Sequence, residues 1–183
     1  MAAAGELKYR NFLIVCLVLD TADLFLDNWI YVHEPEVRVA RIQNFKNWNR
    51  AMVADKTKSS LSLEYFCNEG DELWRMDNAE LIALADRELE AIGLVPVDRV
   101  VGGRVYRIPA AYPIYDTKYA ANLAEVRAFC DGLENLRTVG RNGLHRYNNM
   151  DHSMLTGMYA VRMLLFGEHH DLWAINTERE YHE

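Results

Sequence analysis

The chain has 183 residues, half of them hydrophobic, and a formal net charge of −7. This hydrophobic fraction excludes a disordered chain, and the length is sufficient for a domain with its own core. The negative charge argues against nucleic-acid binding, which needs a concentrated basic surface.

The first half of the chain predicts β-structure. Residues 12–19 are its longest apolar run, too short for a membrane span of roughly 20 residues and typical of a strand covered on both faces. Residues 28–34 and 37–43 are rich in aromatic and β-branched side chains and predict a hairpin around a proline-containing turn. Residues 44–60 are polar and predict a long loop, and residues 61–66 predict a further strand.

The N-terminus and the cysteines indicate a compartment. No basic region and no apolar core precede a cleavage site, so no signal peptide is predicted. The three cysteines are odd in number and widely spaced, which indicates reduced packing residues. These observations predict a cytoplasmic protein.

The middle of the chain predicts two helices and a strand. Asp77 and Glu80 have the spacing of a helix capping box, and an apolar pattern of helical period follows them until a glycine ends it. Residues 97–108 predict a strand or a hairpin around a glycine pair. Residues 118–130 predict a second helix that also ends at a glycine.

The last part of the chain predicts a strand, a polar loop and a long helix. The strand is residues 136–139, and the helix runs from Met150 to Phe166 with Gly167 as its C′ residue. Strands followed by helices, with little regular alternation, predict an α+β fold with a mixed or antiparallel β-sheet and helices on one side. The Gly-x-Gly-x-x-Gly turn of dinucleotide-binding domains is not found in the sequence.

The loop before the last helix carries a recognisable group of residues. Gly140-Arg141 is followed, after a spacer, by Tyr147 and then by Asn149-Met150 at the start of the helix. This arrangement resembles the C-terminal flavin-contacting motif of the FAD-dependent amine oxidase superfamily, and especially that of UDP-galactopyranose mutases and protoporphyrinogen-oxidase-like proteins. Further segments resemble the family's substrate-binding sheet and the turn before its flavin-contacting part: residues 28–33, 41–44, 63–66 and 112–116.

The resemblance implies the C-terminal portion of a FAD-dependent oxidoreductase. Residues 1–132 would form its substrate-binding α+β domain, residues 133–167 the strand–loop–helix of its FAD-binding part, and residues 168–183 a tail. FAD is expected in the full-length parent, held mainly by an N-terminal Rossmann domain with no counterpart here. The chain alone is therefore expected neither to bind FAD tightly nor to be active. The cofactor contacts implied by the resemblance are Gly140, Arg141, Asn149, Met150 and Asp151.

The same resemblance implies contacts to a small-molecule substrate. These are Arg141, His145, Tyr147, Arg41 and Asn44. Arg141 could grip a phosphate or a carboxylate, or be an ordinary surface arginine. His145 could equally be a hydrogen-bonded structural residue, and Arg41 and Asn44 could be ordinary residues at a strand end.

Two further site interpretations concern the last helix and the tail. Asn149 and its neighbours could cap the helix through a side-chain oxygen, which is compatible with a flavin contact by their backbone N–H groups. No metal site is predicted, because adjacent histidines such as His169 and His170 point in different directions. No catalytic residue is predicted in this chain.

Three functions remain open at this stage. The first is the substrate-binding and flavin-covering portion of an amine-oxidase-like enzyme. The second is a mutase-like enzyme acting on a sugar nucleotide, although the mutases carry an acidic residue where Asn149 stands. The third is a non-catalytic interaction module on an oxidase scaffold, in which exposed apolar surface binds a partner or a second copy.

Overall fold

The computed structural model describes residues 2–96 and 98–176. Val97, where one predicted strand begins, and residues 177–183 of the predicted tail lie outside the described residues. The chain divides into two compact units. We call Asn11–Pro109 the sheet unit, and the chain up to Arg10 together with the chain from Ala110 onward the terminal unit.

Strands and helices are distributed as an α+β fold, as predicted. The strands are β1 (Lys8–Leu19), β2 (Trp29–Tyr31), β3 (Arg41–Asn44), β4 (Ser59–Cys67) and β5 (Val100–Ile114). The helices are α1 (Ala2–Gly5), α2 (Phe45–Trp48), α3 (Glu72–Arg75), α4 (Asn78–Ala91), α5 (Tyr119–Asp131), α6 (Gly140–Gly143) and α7 (Met150–Phe166), with a 3₁₀ turn at Arg50–Met52. Within the described residues no helix combines the length and apolar character needed to cross a membrane.

The strands form one antiparallel sheet in the order β2-β3-β4-β1-β5. The central pair aligns Leu13 with Tyr65 and Val15 with Leu63, while Ile42 on β3 also lies opposite Leu63. All five side chains are fully buried. Because side chains alternate between the two faces of a strand, this register places one continuous apolar face on the sheet.

Helix α4 covers that apolar face. Its Leu81, Ala85 and Leu89 repeat at helical spacing and join the core formed by the central strands. The predicted capping box is present, since Asp77 Oδ1 accepts from the Glu80 N–H at 2.8 Å and Glu80 Oε2 accepts from the Asp77 N–H at 2.9 Å. This packing confirms the prediction of helices on one side of the sheet.

A buried carboxylate joins α4 to two other parts of the sheet unit. Glu88 accepts from the backbone N–H groups of Arg38 at 2.7 Å and Val39 at 3.1 Å, and from the Tyr65 hydroxyl at 3.0 Å. Burial, followed by the charge of Glu88, raises the pKa of Tyr65 far above its usual value. The phenol therefore stays protonated and donates to Glu88 at every physiological pH.

Two predictions for the sheet unit need correction in detail. The hairpin is present, but its strands are short, because pairing is limited to Trp29–Tyr31 against Arg41–Gln43. The segment predicted as a long loop contains α2, whose buried Lys46 donates to the carbonyls of Lys56 at 2.8 Å and Lys58 at 2.9 Å. This helix depends on contacts distant in sequence, which a local pattern does not contain.

For the segment predicted as a strand or a hairpin, the strand alternative is confirmed. It is one long strand, β5, because Gly102 and Gly103 continue the strand and do not form a turn. A Cβ at Gly103 would lie 3.0 Å from Cys16 O, so the absence of a side chain allows the two backbones to approach closely.

The terminal unit contains the segments that resemble a cofactor site. Helix α5 and helix α7 occur where predicted, and α7 ends at Gly167 with a left-handed φ of 67°. The predicted strand at residues 136–139 is wrong. Residues 136–139 lie outside the strands, Val139 has an extended backbone, and the residue after it begins the short helix α6. The β-branched residues among them favour extended backbone, but a strand also requires a ladder partner.

The predicted division at residues 132 and 167 describes functional parts of a parent protein and stays a prediction.

Candidate functional site

The central feature of the terminal unit is an arginine that lies over two tyrosine rings. The Arg141 Cζ atom is 4.7 Å from the ring centroid of Tyr112 and 4.7 Å from that of Tyr147. The two rings are nearly parallel, at 16°, with their centroids 6.1 Å apart. A guanidinium group over aromatic faces is held by cation–π attraction, so this contact fixes the direction of the side chain.

The same arginine closes the loop in which it lies. Its Nε and Nη2 atoms donate to the carbonyl oxygen of Asn148, at 3.2 and 2.8 Å. Guanidinium carries five N–H donors, and within the described residues Nη1 makes no hydrogen bond. Arg141 thus holds this loop closed through Asn148. We name Arg141, Tyr112, Tyr147 and Asn148 the arginine clamp.

Backbone hydrogen bonds fix the rest of the loop. Leu144 N–H donates to Gly140 O at 3.0 Å, and Arg146 N–H donates to Arg141 O at 3.0 Å. The Tyr147 N–H donates to the Tyr115 hydroxyl at 2.5 Å. The loop predicted as polar and irregular is therefore a compact, internally bonded turn.

Gly140 connects this turn to the last helix. Its φ of 71° lies in the left-handed region, which favours glycine. This backbone conformation lets its N–H donate to the hydroxyl of the buried Thr156 at 3.0 Å. The predicted cofactor residue Gly140 thus has a clear structural role, and its contact with a cofactor stays a prediction.

The N-terminus of α7 follows the arginine clamp directly. Asn149 is the N-cap residue, and its backbone N–H donates to His152 Nδ1 at 3.2 Å. The same Nδ1 atom lies 3.4 Å from Asp151 Oδ1. Met150 and Asp151 are exposed at the start of the helix, where first-turn N–H groups have no intrahelical acceptor.

His145 lies elsewhere in the same unit, away from solvent. Its side chain is only 2% exposed and its backbone φ is 44°. The Tyr9 ring meets it edge-on at 4.5 Å, and the Tyr119 hydroxyl donates to its carbonyl at 3.1 Å. Burial lowers the pKa of the imidazole, and a weaker interaction with the Ile114 backbone opposes that shift. The contact between His145 and a substrate stays a prediction. The burial of His145 makes access of a substrate to its side chain harder.

Arg41 and Asn44 belong to the sheet unit. Arg41 Nε lies 2.6 Å from Glu64 Oε2 in a buried ion pair, and its guanidinium lies 5.1 Å from the Trp29 ring centroid and 5.0 Å from that of Phe66. Asn44 is 1% exposed and donates to Phe25 O at 3.2 Å. Both side chains have structural contacts, so their proposed contact with a substrate also stays a prediction.

Sequence reasoning missed one partner of each of the two predicted arginines, Arg141 in the terminal unit and Arg41 in the sheet unit. Tyr112 lies in the segment 112–116 that resembles the family's turn, but no pattern in the sequence indicates its contact with Arg141, which is a tertiary contact. Glu64 follows the alternation of β4 and gives no signal that it neutralises a buried arginine. Among the described residues no group of three or more His, Cys, Asp or Glu side chains is arranged to hold a metal ion.

Comparison with known proteins identifies the fold. No family model and no curated protein matches the sequence. The structure of reduced UDP-galactopyranose mutase is similar with a TM-score of 0.77 and 22% sequence identity, over 96% of this chain and 38% of the mutase. A protoporphyrinogen-oxidase-like protein from Exiguobacterium sp. 255-15 is similar with a TM-score of 0.55 and 16% identity, over 68% of this chain and 28% of that protein. This chain therefore has a fold similar to part of each of these two larger proteins, the two kinds that its loop motif resembles.

Proposed function

We propose that this chain is the substrate-binding and flavin-covering portion of a FAD-dependent oxidoreductase of the amine-oxidase type. The observation that carries the proposal is the arginine clamp, which fixes a cationic side chain immediately before the N-terminus of α7. Both features favour a ligand that carries negative charge. The similarity of the fold to part of two larger proteins supports the assignment.

The residues at the start of α7 fit the pyrimidine end of a flavin. The first-turn backbone N–H groups of Met150 and Asp151 point outward along the helix axis, and the helix dipole adds positive potential there. The neutral side chain of Asn149 adds no repulsion, whereas the Asp151 carboxylate opposes a negative ring and must turn to solvent. FAD, when bound, supplies the hydride acceptor.

The arginine clamp serves the substrate in this proposal. Arg141 keeps its Nη1 donors for a carboxylate or a phosphate, and the aromatic rings keep the group from swinging away. Tyr147 presents its ring beside that ligand. This chain binds and orients the substrate, and no residue in it is assigned to move a proton.

A mutase-like function is the second candidate. It is favoured by the similarity to UDP-galactopyranose mutase, which extends over 96% of this chain, and by the suitability of Arg141 for a diphosphate. The neutral side chain of Asn149 argues against close correspondence with the mutases, because they carry an acidic residue at that position. Product analysis of the full-length parent with UDP-galactopyranose under reducing conditions decides the matter, since absence of a furanose product removes this candidate.

The exposed face of α7 indicates where the rest of the parent protein binds. Five apolar side chains repeat along one side of the helix, opposite the buried Thr156 and Ala160. They are Met150, Met154, Met158, Val161 and Leu165, which are between 52% and 78% exposed. An apolar stripe of this length is unusual on a free surface. We assign it to contact with the Rossmann FAD-binding domain, and a second copy of the chain is the alternative occupant.

Titration of the purified chain with riboflavin, ADP and FAD tests the proposal. Weak, saturable quenching of riboflavin fluorescence and no binding of ADP are expected, because only the ring-contacting half of the cofactor site is encoded. Tight stoichiometric FAD binding would contradict the need for a further domain. Absence of riboflavin binding would contradict the flavin contact itself.

The substrate role of Arg141 has a separate readout. Binding of pyrophosphate or a dicarboxylate, followed by calorimetry, should be lost in Arg141→Met and retained in Arg162→Met. Arg162 is a matched control because it lies on α7 and its side chain is half exposed, with a 3.8 Å contact to Glu168. Equal anion binding by both variants would remove Arg141 from the proposal.

A further inference from the structure

Residues 168–176 follow α7 and fold back along the terminal unit without forming a helix or a strand. We call them the C-terminal strap. Its Leu172 side chain is buried, and the guanidinium group of Arg127 on α5 lies 5.0 Å from the ring centroid of Trp173. The Trp173 N–H donates to Asp171 Oδ1 at 2.9 Å, which fixes the backbone between these contacts. The strap is therefore held against α5.

A second set of contacts holds the strap against α7. The His170 ring stacks on the ring of Tyr159, with the centroids 4.0 Å apart and the planes at 2°. His170 Nε2 also lies 2.7 Å from Glu168 Oε2. Contacts with two helices give this irregular segment a defined path, although it has no secondary structure of its own.

The strap reaches the turn that carries the arginine clamp through two hydrogen bonds. Arg146 Nη1 donates to Trp173 O at 2.6 Å, and Asn176 Nδ2 donates to Tyr147 O at 2.9 Å. The first bond is charge-assisted, because its donor is a guanidinium group. The φ of 61° at Asn176 lies in the left-handed region, which asparagine adopts more readily than most residues do. The two bonds hold successive residues of the turn.

These bonds lie next to the groups that orient Arg141. The Tyr147 ring is one of the two rings in contact with the Arg141 guanidinium group, and the carbonyl of the next residue, Asn148, accepts its hydrogen bonds. A shift of the Tyr147 carbonyl therefore moves both a ring and an acceptor of Arg141. The strap is thus positioned to control the direction of the guanidinium group without touching it.

We propose that the C-terminal strap positions the arginine clamp, and that Arg146 and Asn176 are the positioning residues through which it acts. The proposal rests on the proposed function in one respect, because the anionic ligand is the one assigned to Arg141 above. Without the two bonds, the turn samples conformations in which the guanidinium group leaves the rings. Ordering the group before the ligand arrives raises the affinity for the ligand, since less conformational freedom is lost on binding.

Substitutions in the full chain test the strap without changing the arginine clamp itself. Asn176→Gly removes the amide donor but keeps the net charge and the left-handed backbone conformation. Arg146→Met removes the other donor, and Arg146→Lys restores a charged donor. Asn135→Gly, at an exposed position between α5 and α6, is the matched control for the glycine substitution. Arg162→Met, on α7, is the control for the loss of one positive charge.

Three measurements follow the effect from the turn to the ligand. Amide exchange of residues 146–148 should rise about tenfold in Asn176→Gly and in Arg146→Met, as expected for loss of one hydrogen bond. The Arg141 Nε–Hε signal in ¹H–¹⁵N spectra should move towards that of a free arginine, because the group leaves the ring currents of the two tyrosines. The affinity for pyrophosphate, measured by calorimetry, should fall about three- to tenfold. Arg146→Lys and both controls should stay within about twofold of the parent, and exchange in β1 should not change in any variant.

Each failure has a distinct meaning. An unchanged Arg141 signal and unchanged exchange in both Asn176→Gly and Arg146→Met overturn the proposal. Faster exchange with an unchanged Arg141 signal and unchanged pyrophosphate affinity also overturns it, because the strap would then only stabilise the turn. A parent chain that binds no pyrophosphate, but whose Arg141 signal still depends on Arg146 and Asn176, contradicts the substrate role of Arg141 and leaves its positioning by the strap intact.

Discussion

Replacement of Arg141 by methionine should loosen the turn before α7 by about 2 kcal/mol. Two cation–π contacts at a partly exposed site contribute about 0.5–1 kcal/mol each, and a charge-assisted hydrogen bond to the Asn148 carbonyl about 1.5 kcal/mol or more. Methionine keeps much of the apolar contact with the rings, so the net loss of stabilisation free energy is smaller than the sum of these contributions. Arg141→Lys should cost about 1 kcal/mol, since lysine can donate to Asn148 but cannot stack.

Amide hydrogen exchange of residues 141–148 measures this loss locally, and urea unfolding measures it globally. A local loss of about 2 kcal/mol raises exchange about 30-fold in this turn. The control is Arg162→Met on the exposed side of α7, which should change exchange little. An effect of Arg141→Met below about 0.5 kcal/mol, the ordinary scatter of surface substitutions, would refute the idea that the arginine clamp fixes the turn.

Three further substitutions test contacts outside the arginine clamp through their effect on the stability of the folded chain. Gly103→Ala should destabilise by about 1–3 kcal/mol in urea unfolding, because its Cβ would lie 3.0 Å from a backbone oxygen, whereas Gly102→Ala meets nothing within 4 Å and should be near neutral. Glu88→Gln should cost about 2 kcal/mol, since an amide cannot accept from all three of its donors, and Glu90→Gln on the exposed side of α4 should not. Asp116 accepts from a lysine at the start of β1, and this hydrogen bond lowers its pKa, so its contribution is present above about pH 4 and lost as pH falls through the folded pKa. Stability curves of the parent and Asp116→Asn should therefore converge in acid, and a constant difference across the pH range would contradict this assignment.

The sequence predicts the elements whose signals are local. Three such signals each lie within a few adjacent residues, and all three appear in the structure. They are the apolar run of β1, the capping box at Asp77 and the glycine that ends α7, Gly167. The α+β class and the helix-covered sheet follow from the order of these elements. The resemblance of the loop motif also led to the correct fold, because it joins several weak signals over most of the chain.

What the sequence leaves unpredicted depends on partners distant along the chain. Residues 136–139 have strand-forming side chains but, among the described residues, no ladder partner. Helix α2 forms a single turn because Lys46 reaches carbonyls that follow it in the chain. At the site, the motif indicates Arg141 and Tyr147 but not the Tyr112 ring that also contacts the guanidinium group. The motif also does not indicate that the His145 side chain is buried. A positive φ at a residue other than glycine cannot be predicted from the residue types around it.

The register of the central strands has a consequence for how the protein is made. Leu13 on β1 pairs with Tyr65 on β4, so the most apolar strand of the chain is synthesised about fifty residues before its neighbour. At a translation rate of about 5–20 residues per second, β4 is synthesised about 3–10 s after β1. During this interval the β1 segment lacks its partner strand, and its apolar side chains are in contact with solvent. Pairing over such a separation in sequence also slows folding, because the chain loses loop-closure entropy before the contacts between the strands stabilise it. We therefore expect the yield of folded chain to depend on the rate of synthesis as well as on final stability.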